Sequence, residues 1–320
     1  MIHDLENVRR LGKKLRENLA KCAEDPDVDP VHDTRTGTRR LQATLEDLVR
    51  GIPEGDEDPV RAAVTAMMKL LKKIRHEAGP VRDLDVHRKL LEKLARRAVG
   101  VEGDERADVL ESPETELRPT VVEQQADDLD AWLKHRRSEL AEGLKADAKE
   151  FAEKLDKRLE ELEAALTARR TPRTRKKPAG VVALDSFARL ASEMQVLDAG
   201  NLHDFRKGAK KARYVAELAA RGDEQAQQVG ETLKKLQDEI GDWHDWLVLA
   251  EEAQAALDDQ ATELAALVEG ERERHFVAAM KMAAKLRGRL MGEWLAVSRR
   301  PAATNGVRKR VVGQSRNAAQ

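Results

Sequence analysis

The stretches VHDTRTGTRRLQATLEDL, residues 31–48, and LHDFRKGAKKARYVAELA, residues 202–219, lie over one another without a gap. A second pair follows in the same order, LKKIRHEAGPVRDLDV at 71–86 and LKKLQDEIGDWHDWLV at 233–248. Two signatures in register, one set per half, point to an internally duplicated helical architecture.

At 100° per residue the second of these stretches forms a helix with two faces. With His203 as zero, Arg206, Lys207, Lys210, Lys211 and Tyr214 fall between about −60° and +80°, while Phe205, Ala209, Ala212, Val215, Ala216 and Ala219 take the opposite side. In the first half His32, Arg35, Arg39 and Arg40 repeat the cationic positions, and Val31, Leu41, Leu45 and Leu48 the apolar ones. Thr36 and Ala43 stand where Lys207 and Tyr214 stand, so the second half is richer in charge. Cations in the first turns of a helix oppose its dipole and crowd its unpaired amides, so something negative is expected beside them. Asp33 and Asp204 can supply part of that charge locally, with Asp29 and Asn201 as expected N-caps. A solvated basic face would be the ordinary explanation, but solvation does not demand the same wheel twice.

The second signature adds Lys72, Lys73, Arg75 and Arg82 in one half and Lys234 and Lys235 in the other. Here Gly79 and Gly241 read as helix C-caps, and Asp83 and Asp245 as structural residues at the next helix starts.

The rest of the chain fits an all-α protein. Of its 320 residues 37% are charged and only 3% aromatic, and strand-like alternation is missing. The periodicity predicts helices over roughly 2–22, 30–50, 58–78, 81–99, 121–169, 181–197, 202–221, 224–240, 243–268 and 271–297. DPDVDP and GIPEGDEDP place Asp and Pro at helix starts, and Gly79, Gly100, Gly200 and Gly241 sit where helices are expected to stop. Residues 101–120 read as an acidic loop, 168–180 as a basic linker, and 298–320 as a basic, disordered tail. The domain reading is therefore one helical domain over 1–297, with halves at about 1–170 and 181–297. A formal net charge of −1 means that anion binding has to come from local segregation of charge. Cys22 cannot form an internal disulfide and reads as a small buried helix residue. No signal-like or membrane-spanning run is read, so the expected compartment is the cytoplasm.

The two His-Asp-x-Arg helices, each followed by an LKK…G…D segment, resemble the conserved histidine α-helical domain, the CHAD family, over most of residues 2–297. The resemblance implies two antiparallel four-helix bundles related by pseudo-two-fold symmetry, with the basic helices facing a central groove or pore. It also implies binding of inorganic polyphosphate, association with polyphosphate granules, and no catalysis. Carried over position by position, the ligand contacts are His32, Arg35, Arg39 and Arg40, then His203, Arg206, Lys207, Lys210 and Lys211, with Lys72, Lys73, Lys234 and Lys235 in support. Arg75, Arg82 and Tyr214 join them from the basic faces read above. The small residues Thr36 and Gly37 depart from the commoner family pattern and imply one wall that contacts the ligand less. Such a site suits a linear polyanion, which presents repeated phosphates to rows of cations at i, i+3 and i+4. No cofactor and no metal are expected, and other polyanions remain candidate partners.

Three other readings compete. His-Asp dipeptides at 3–4, 32–33, 203–204 and 244–245 suggest a metal-dependent phosphohydrolase, but each pair is read as crowded by Arg or Lys on the same face, which would repel a divalent ion. A triphosphate tunnel enzyme would need a Glu-x-Glu-x-Lys strand, which is absent from the sequence. A helical scaffold with weak, nonspecific nucleic-acid binding is the third, although Tyr214 is the single aromatic on the basic face. Trp132, Trp243, Trp246 and Trp294 read as core or interhelical residues.

Overall fold

The structure, a computed structural model, describes residues 2–50, 52, 58–98, 117–168, 178–217, 223–257 and 262–299. Among the described residues there are eight helices and no strand: α1 (Ile2–Glu24), α2 (Val28–Arg50), α3 (Pro59–Ala98), α4 (Leu117–Ala168), α5 (Ala179–Glu193), α6 (Leu202–Glu217), α7 (Glu224–Ala256) and α8 (Glu263–Ser298). Several starts follow the chemistry expected of them. The Asp58 carboxylate accepts from the Val60 amide at 2.9 Å ahead of Pro59, Asp223 accepts from Ala226 at 2.9 Å, and Thr262 accepts from Ala265 at 3.0 Å. Asp29 lies inside α2 instead of capping it; the first amide, Val28, donates to Asp27 at 2.7 Å. The Asn201 side chain turns backward, accepting from the Asp198 amide at 3.1 Å while its own amide donates to the Asp198 carboxylate at 3.0 Å.

Two expected breaks do not occur. Gly79 and Gly241 lie inside α3 and α7, which run on for several turns beyond them. Tertiary packing overrides the local signal: Ala78, Val81 and Leu84 are buried across the Gly79-Pro80 step, and Ile240, Trp243 and Trp246 across Gly241. The expected break at 268–271 falls instead before Thr262, and α8 passes through Gly270. The loop read at 101–120 ends earlier, since 117–120 open α4; Gly100, residues 101–116 and most of the basic linker and tail lie outside the described residues.

Helices α1 to α4 contact one another in cyclic order, and α5 to α8 do the same. The first set buries a core that includes Leu15, Leu41, Leu45, Met67, Leu71 and Leu155. The second buries Phe187, Phe205, Ala212, Leu233, Ile240, Trp243 and Leu286, with Phe187 and Phe205 edge to face at 5.9 Å. A third core joins the two sets, gathering Leu84 and Leu91 of α3, Leu129 and Leu133 of α4, Trp246 and Leu249 of α7, and Leu264 of α8. This shared core holds α2 against α6 and α3 against α7. The cationic faces of the two repeated helices are thereby fixed opposite one another instead of pointing to bulk water.

The apolar faces read from the wheel are the buried ones. Val31, Leu41, Leu45 and Leu48 in α2, and Phe205, Ala209, Ala212, Val215 and Ala216 in α6, are all buried. Gly208 lets α5 approach, since a Cβ there would stand 2.4 Å from a Leu190 methyl; Gly37 faces Leu15 of α1 in the same way, at 3.3 Å. Cys22 is buried with its Sγ 3.5 Å from the Thr34 hydroxyl. Trp243 and Trp246 are buried, and the partly buried Trp294 donates through Nε1 to Asp185 at 3.0 Å.

Candidate functional site

Where α2, α3, α6 and α7 meet there is a cavity of about 480 Å³. Its wall holds six Lys or Arg side chains, four His and two Asp. Helix α2 contributes His32, Arg35, Thr36 and Arg39; α3 contributes Arg82, Asp83, Val86 and His87; α6 contributes His203, Arg206, Lys207 and Lys210; α7 contributes His244, Asp245 and Val248. Both repeated signatures thus meet in one place, each from both halves.

The two motif arginines dock in related ways. Arg35 donates through Nη1 to the Gly79 carbonyl at 3.1 Å and to Asp83 at 2.5 Å. Arg206 donates through Nε to the Gln237 carbonyl at 3.1 Å and lies over Gly241, where an added Cβ would sit 2.6 Å from its Nη2. Neither glycine is a helix stop, and Gly241 is the surface on which a guanidinium rests. Gly241 has no side chain because Arg206 occupies that space. The halves differ in charge balance. Arg35 is held by a carboxylate, whereas Arg206 makes no ion pair with Asp245 at the corresponding position.

Crowding of like charge leaves its mark on ionisation. Lys210 is pushed down to about 6 by burial and by Arg39, Arg206, Arg213 and Arg35. His203 is pushed down to about 4, first by burial, then by His244, Lys207 and Arg206. The His203 and His244 rings lie edge to face with centroids 3.8 Å apart, and burial followed by Arg206 lowers His244 as well. Burial also works against the charged forms of Arg39 and Arg75, while Asp245 is raised, mainly by burial. Buried nitrogens of Arg75, His203 and His244 lack a hydrogen-bond partner among the described residues. Cations and donors converge here with too few acceptors, the inverse of a normal protein interior. Arg82 is balanced from behind by buried Asp85, at 4.0 Å, which is itself gripped by Arg137 of α4 at 2.6 Å. The His87 Nδ1 lies 2.7 Å from the Glu252 carboxylate of α7.

A family model for the CHAD domain matches residues 7–254. The chain belongs to the CHAD domain family. The crystal structure of the CHAD domain from the plant Ricinus communis resembles this CHAD protein over 88% of this chain and 89% of that one, with a TM-score of 0.50 at 19% identity. No curated protein matches the sequence.

Of the residues singled out from sequence in this CHAD protein, His32, Arg35, Arg39, Arg82, His203, Arg206, Lys207 and Lys210 line the cavity. Arg75 and Tyr214 lie next to it, close enough to influence Arg39 and each other, and the Arg213 guanidinium sits 5.0 Å over the Tyr214 ring. Arg40, Lys72, Lys73, Lys211, Lys234 and Lys235 are exposed and are not part of its wall. A helix turns each neighbour of an inward residue by 100°, so adjacent pairs such as Arg39-Arg40 and Lys210-Lys211 cannot both face one narrow cavity. Gly37 is also absent from the wall, and Thr36 alone is the small residue there.

Sequence reasoning passed over His87, named His244 only within a His-Asp dipeptide of the metal-enzyme alternative, and gave Asp83 and Asp245 a helix-start role. Asp83 lies well inside α3, about four turns from its nearer end at 3.6 residues per turn, and binds Arg35. The signal was present: 79, 82, 83, 86 and 87, and likewise 241, 244, 245 and 248, follow helical spacing on one face. Reading Gly79 and Gly241 as stops cut both stripes in two. Among the described residues no group of three or more His, Cys, Asp or Glu side chains is arranged to hold a metal ion. No helix there is long and apolar enough to cross a membrane.

Proposed function

We propose that this CHAD protein is a non-catalytic module that binds inorganic polyphosphate in the cavity between α2, α3, α6 and α7. In this reading α1–α4 and α5–α8 are two antiparallel four-helix bundles related by duplication, and the cavity is their shared basic groove. Polyphosphate granules in the cytoplasm are its expected place of action. The observation that carries the proposal is the excess of cations in the wall: six Lys and Arg against two Asp, in a chain whose formal net charge is −1. An anion entering this space would restore the proton to Lys210, give acceptors to the orphaned nitrogens and relieve repulsion among the arginines.

A phosphate chain fits better than a nucleic acid, because the wall offers forked and point-charge donors but no Phe, Tyr or Trp on which a base could stack. The contacts assigned are the eight sequence-predicted residues of the wall, with His87 and His244 added and Arg75 and Tyr214 at its margin. The test is calorimetric titration with long-chain polyphosphate, single-stranded DNA and pyrophosphate at two salt concentrations. Polyphosphate is expected to bind tightest, with log Kd against log salt rising with a slope of about 4, as expected for roughly six neutralised phosphates on a flexible polyanion. Arg206→Ala combined with Lys210→Ala is expected to weaken binding at least about 10-fold while the helical circular dichroism is retained. Equal affinity for DNA, or binding indifferent to the double substitution, overturns the assignment.

A further inference from the structure

A second cationic groove lies away from the central cavity, between the first half of α3 and the last third of α4. It is the larger of the two, at about 1050 Å³, and its wall holds Arg61, Lys69 and Lys73 from α3 and Lys154, Lys157 and Arg158 from α4, with no acidic residue. In a chain with 59 acids to 58 bases, six cations with no acid among them is a marked segregation. The α3 wall repeats at i, i+4 through 61, 65, 69 and 73, a step of about 6 Å along the axis. The α4 wall answers with i, i+3 and i+4, and Ala62 and Ala66 keep the floor open.

Three of the six cations are already engaged: Arg61 donates to the Ile52 carbonyl at 2.6 Å, Arg158 pairs with Glu161 at 2.5 Å, and Lys154 pairs with Glu150. Lys69, Lys73 and Lys157 are exposed and have no hydrogen bond or ion pair among the described residues. Lys73 was grouped with the central site by its motif, and the helix turns it here instead.

We propose that this α3–α4 groove is an auxiliary polyphosphate-binding surface, engaged by a distal part of a long chain whose other part sits in the central cavity. The proposal rests on the central reading and extends it from a site to a two-point mode of binding. Lysine point charges on an open surface favour loose, salt-sensitive contact over a fixed geometry, which suits a tether more than a primary site. Its consequence is dependence on chain length: a ligand long enough to span both surfaces gains effective concentration at the second, and a short one gains nothing.

The test compares long-chain polyphosphate with tripolyphosphate on wild-type protein, on Arg206→Ala/Lys210→Ala, and on Lys69→Ala/Lys73→Ala/Lys157→Ala. The triple variant is expected to bind the long chain about 10-fold more weakly and to lower the salt slope by about 2, while its tripolyphosphate affinity stays within about 2-fold of wild type. Lys73→Gln alone should shift the slope by about 0.7 and serves as the minimal version should the triple variant melt early. Unchanged long-chain affinity and slope overturn the second surface, as does an equal loss with tripolyphosphate. If wild type binds neither phosphate, the central reading fails and this one with it. If the central double variant abolishes binding while the triple variant leaves long-chain affinity and salt slope unchanged, only the auxiliary groove is refuted.

Discussion

Lys210 offers the sharpest test of the idea that the cavity is held in a charge-frustrated state. Its ammonium is pushed down to about 6 from an ordinary 10.5, by burial and by the arginines around it. At pH 7 the folded chain keeps it mostly unprotonated, whereas the unfolded chain protonates it fully. Each pH unit of that difference corresponds to about 1.4 kcal/mol, so the ceiling on the cost is on the order of 4–5 kcal/mol. Side-chain relaxation and water entry reduce the realised value, and about 2 kcal/mol is the expectation. Lys210→Met keeps the length and removes the ionisation, so the ligand-free variant should melt about 3–5 °C above wild type at pH 7.

The pH dependence fixes the sign. Between about 6 and 10.5 the unfolded state binds the additional proton, so wild-type stability from this group falls as pH is lowered through that window and levels off below it. The advantage of Lys210→Met should therefore be greatest below pH 6 and vanish near pH 10.5. Thermal denaturation from pH 5 to 9, with and without polyphosphate, provides the measurement. Added polyphosphate should reverse the order, because a bound anion recharges Lys210 and wild type alone gains that contact. A variant no more stable than wild type, or an advantage that does not change between pH 6 and 9, would refute the reasoning.

Two further outcomes are expected. His203, pushed down to about 4, is neutral in the free protein near neutrality and regains its proton beside bound phosphate; affinity should rise about 3- to 10-fold as pH falls from 7 to 5.5, and His203→Asn should flatten that limb in titrations across the same range. Asp85, buried and bonded to Arg137 at 2.6 Å, is structural: Asp85→Ala leaves a largely buried guanidinium unpaired and should cost about 3 kcal/mol in urea denaturation, a loss that added polyphosphate only partly offsets.

Much of this was legible before any tertiary contact was known. The 3.6-residue period and the repeated wheel located the helices, their buried faces and the presence of two cationic stripes. Those properties are local, being set by which residues share a side of one helix, and Leu41, Leu45, Phe205 and Ala212 are buried as their spacing required. The eight motif residues that line the cavity were identifiable for the same reason. What failed was local punctuation. Gly79-Pro80 and Gly241 carry the chemistry of helix ends, but the buried residues on either side hold the backbone helical; Arg35 bonds the Gly79 carbonyl, and Arg206 occupies the room that Gly241 leaves.

Sequence by itself determined an all-helical, internally repeated chain with two cationic helix faces, because amphipathic spacing and charge are written residue by residue. Only the tertiary structure decided which cations act together. The core shared by α3, α4, α7 and α8 brings α2 to α6 and α3 to α7, so Lys210 and Arg39 crowd one cavity, Lys73 turns to a separate groove, and His87 and His244 join the site from helices that look interrupted in sequence. Convergence of charge depends on distances between helices, and the hydrophobic contacts that set those distances lie far along the chain from the charges themselves.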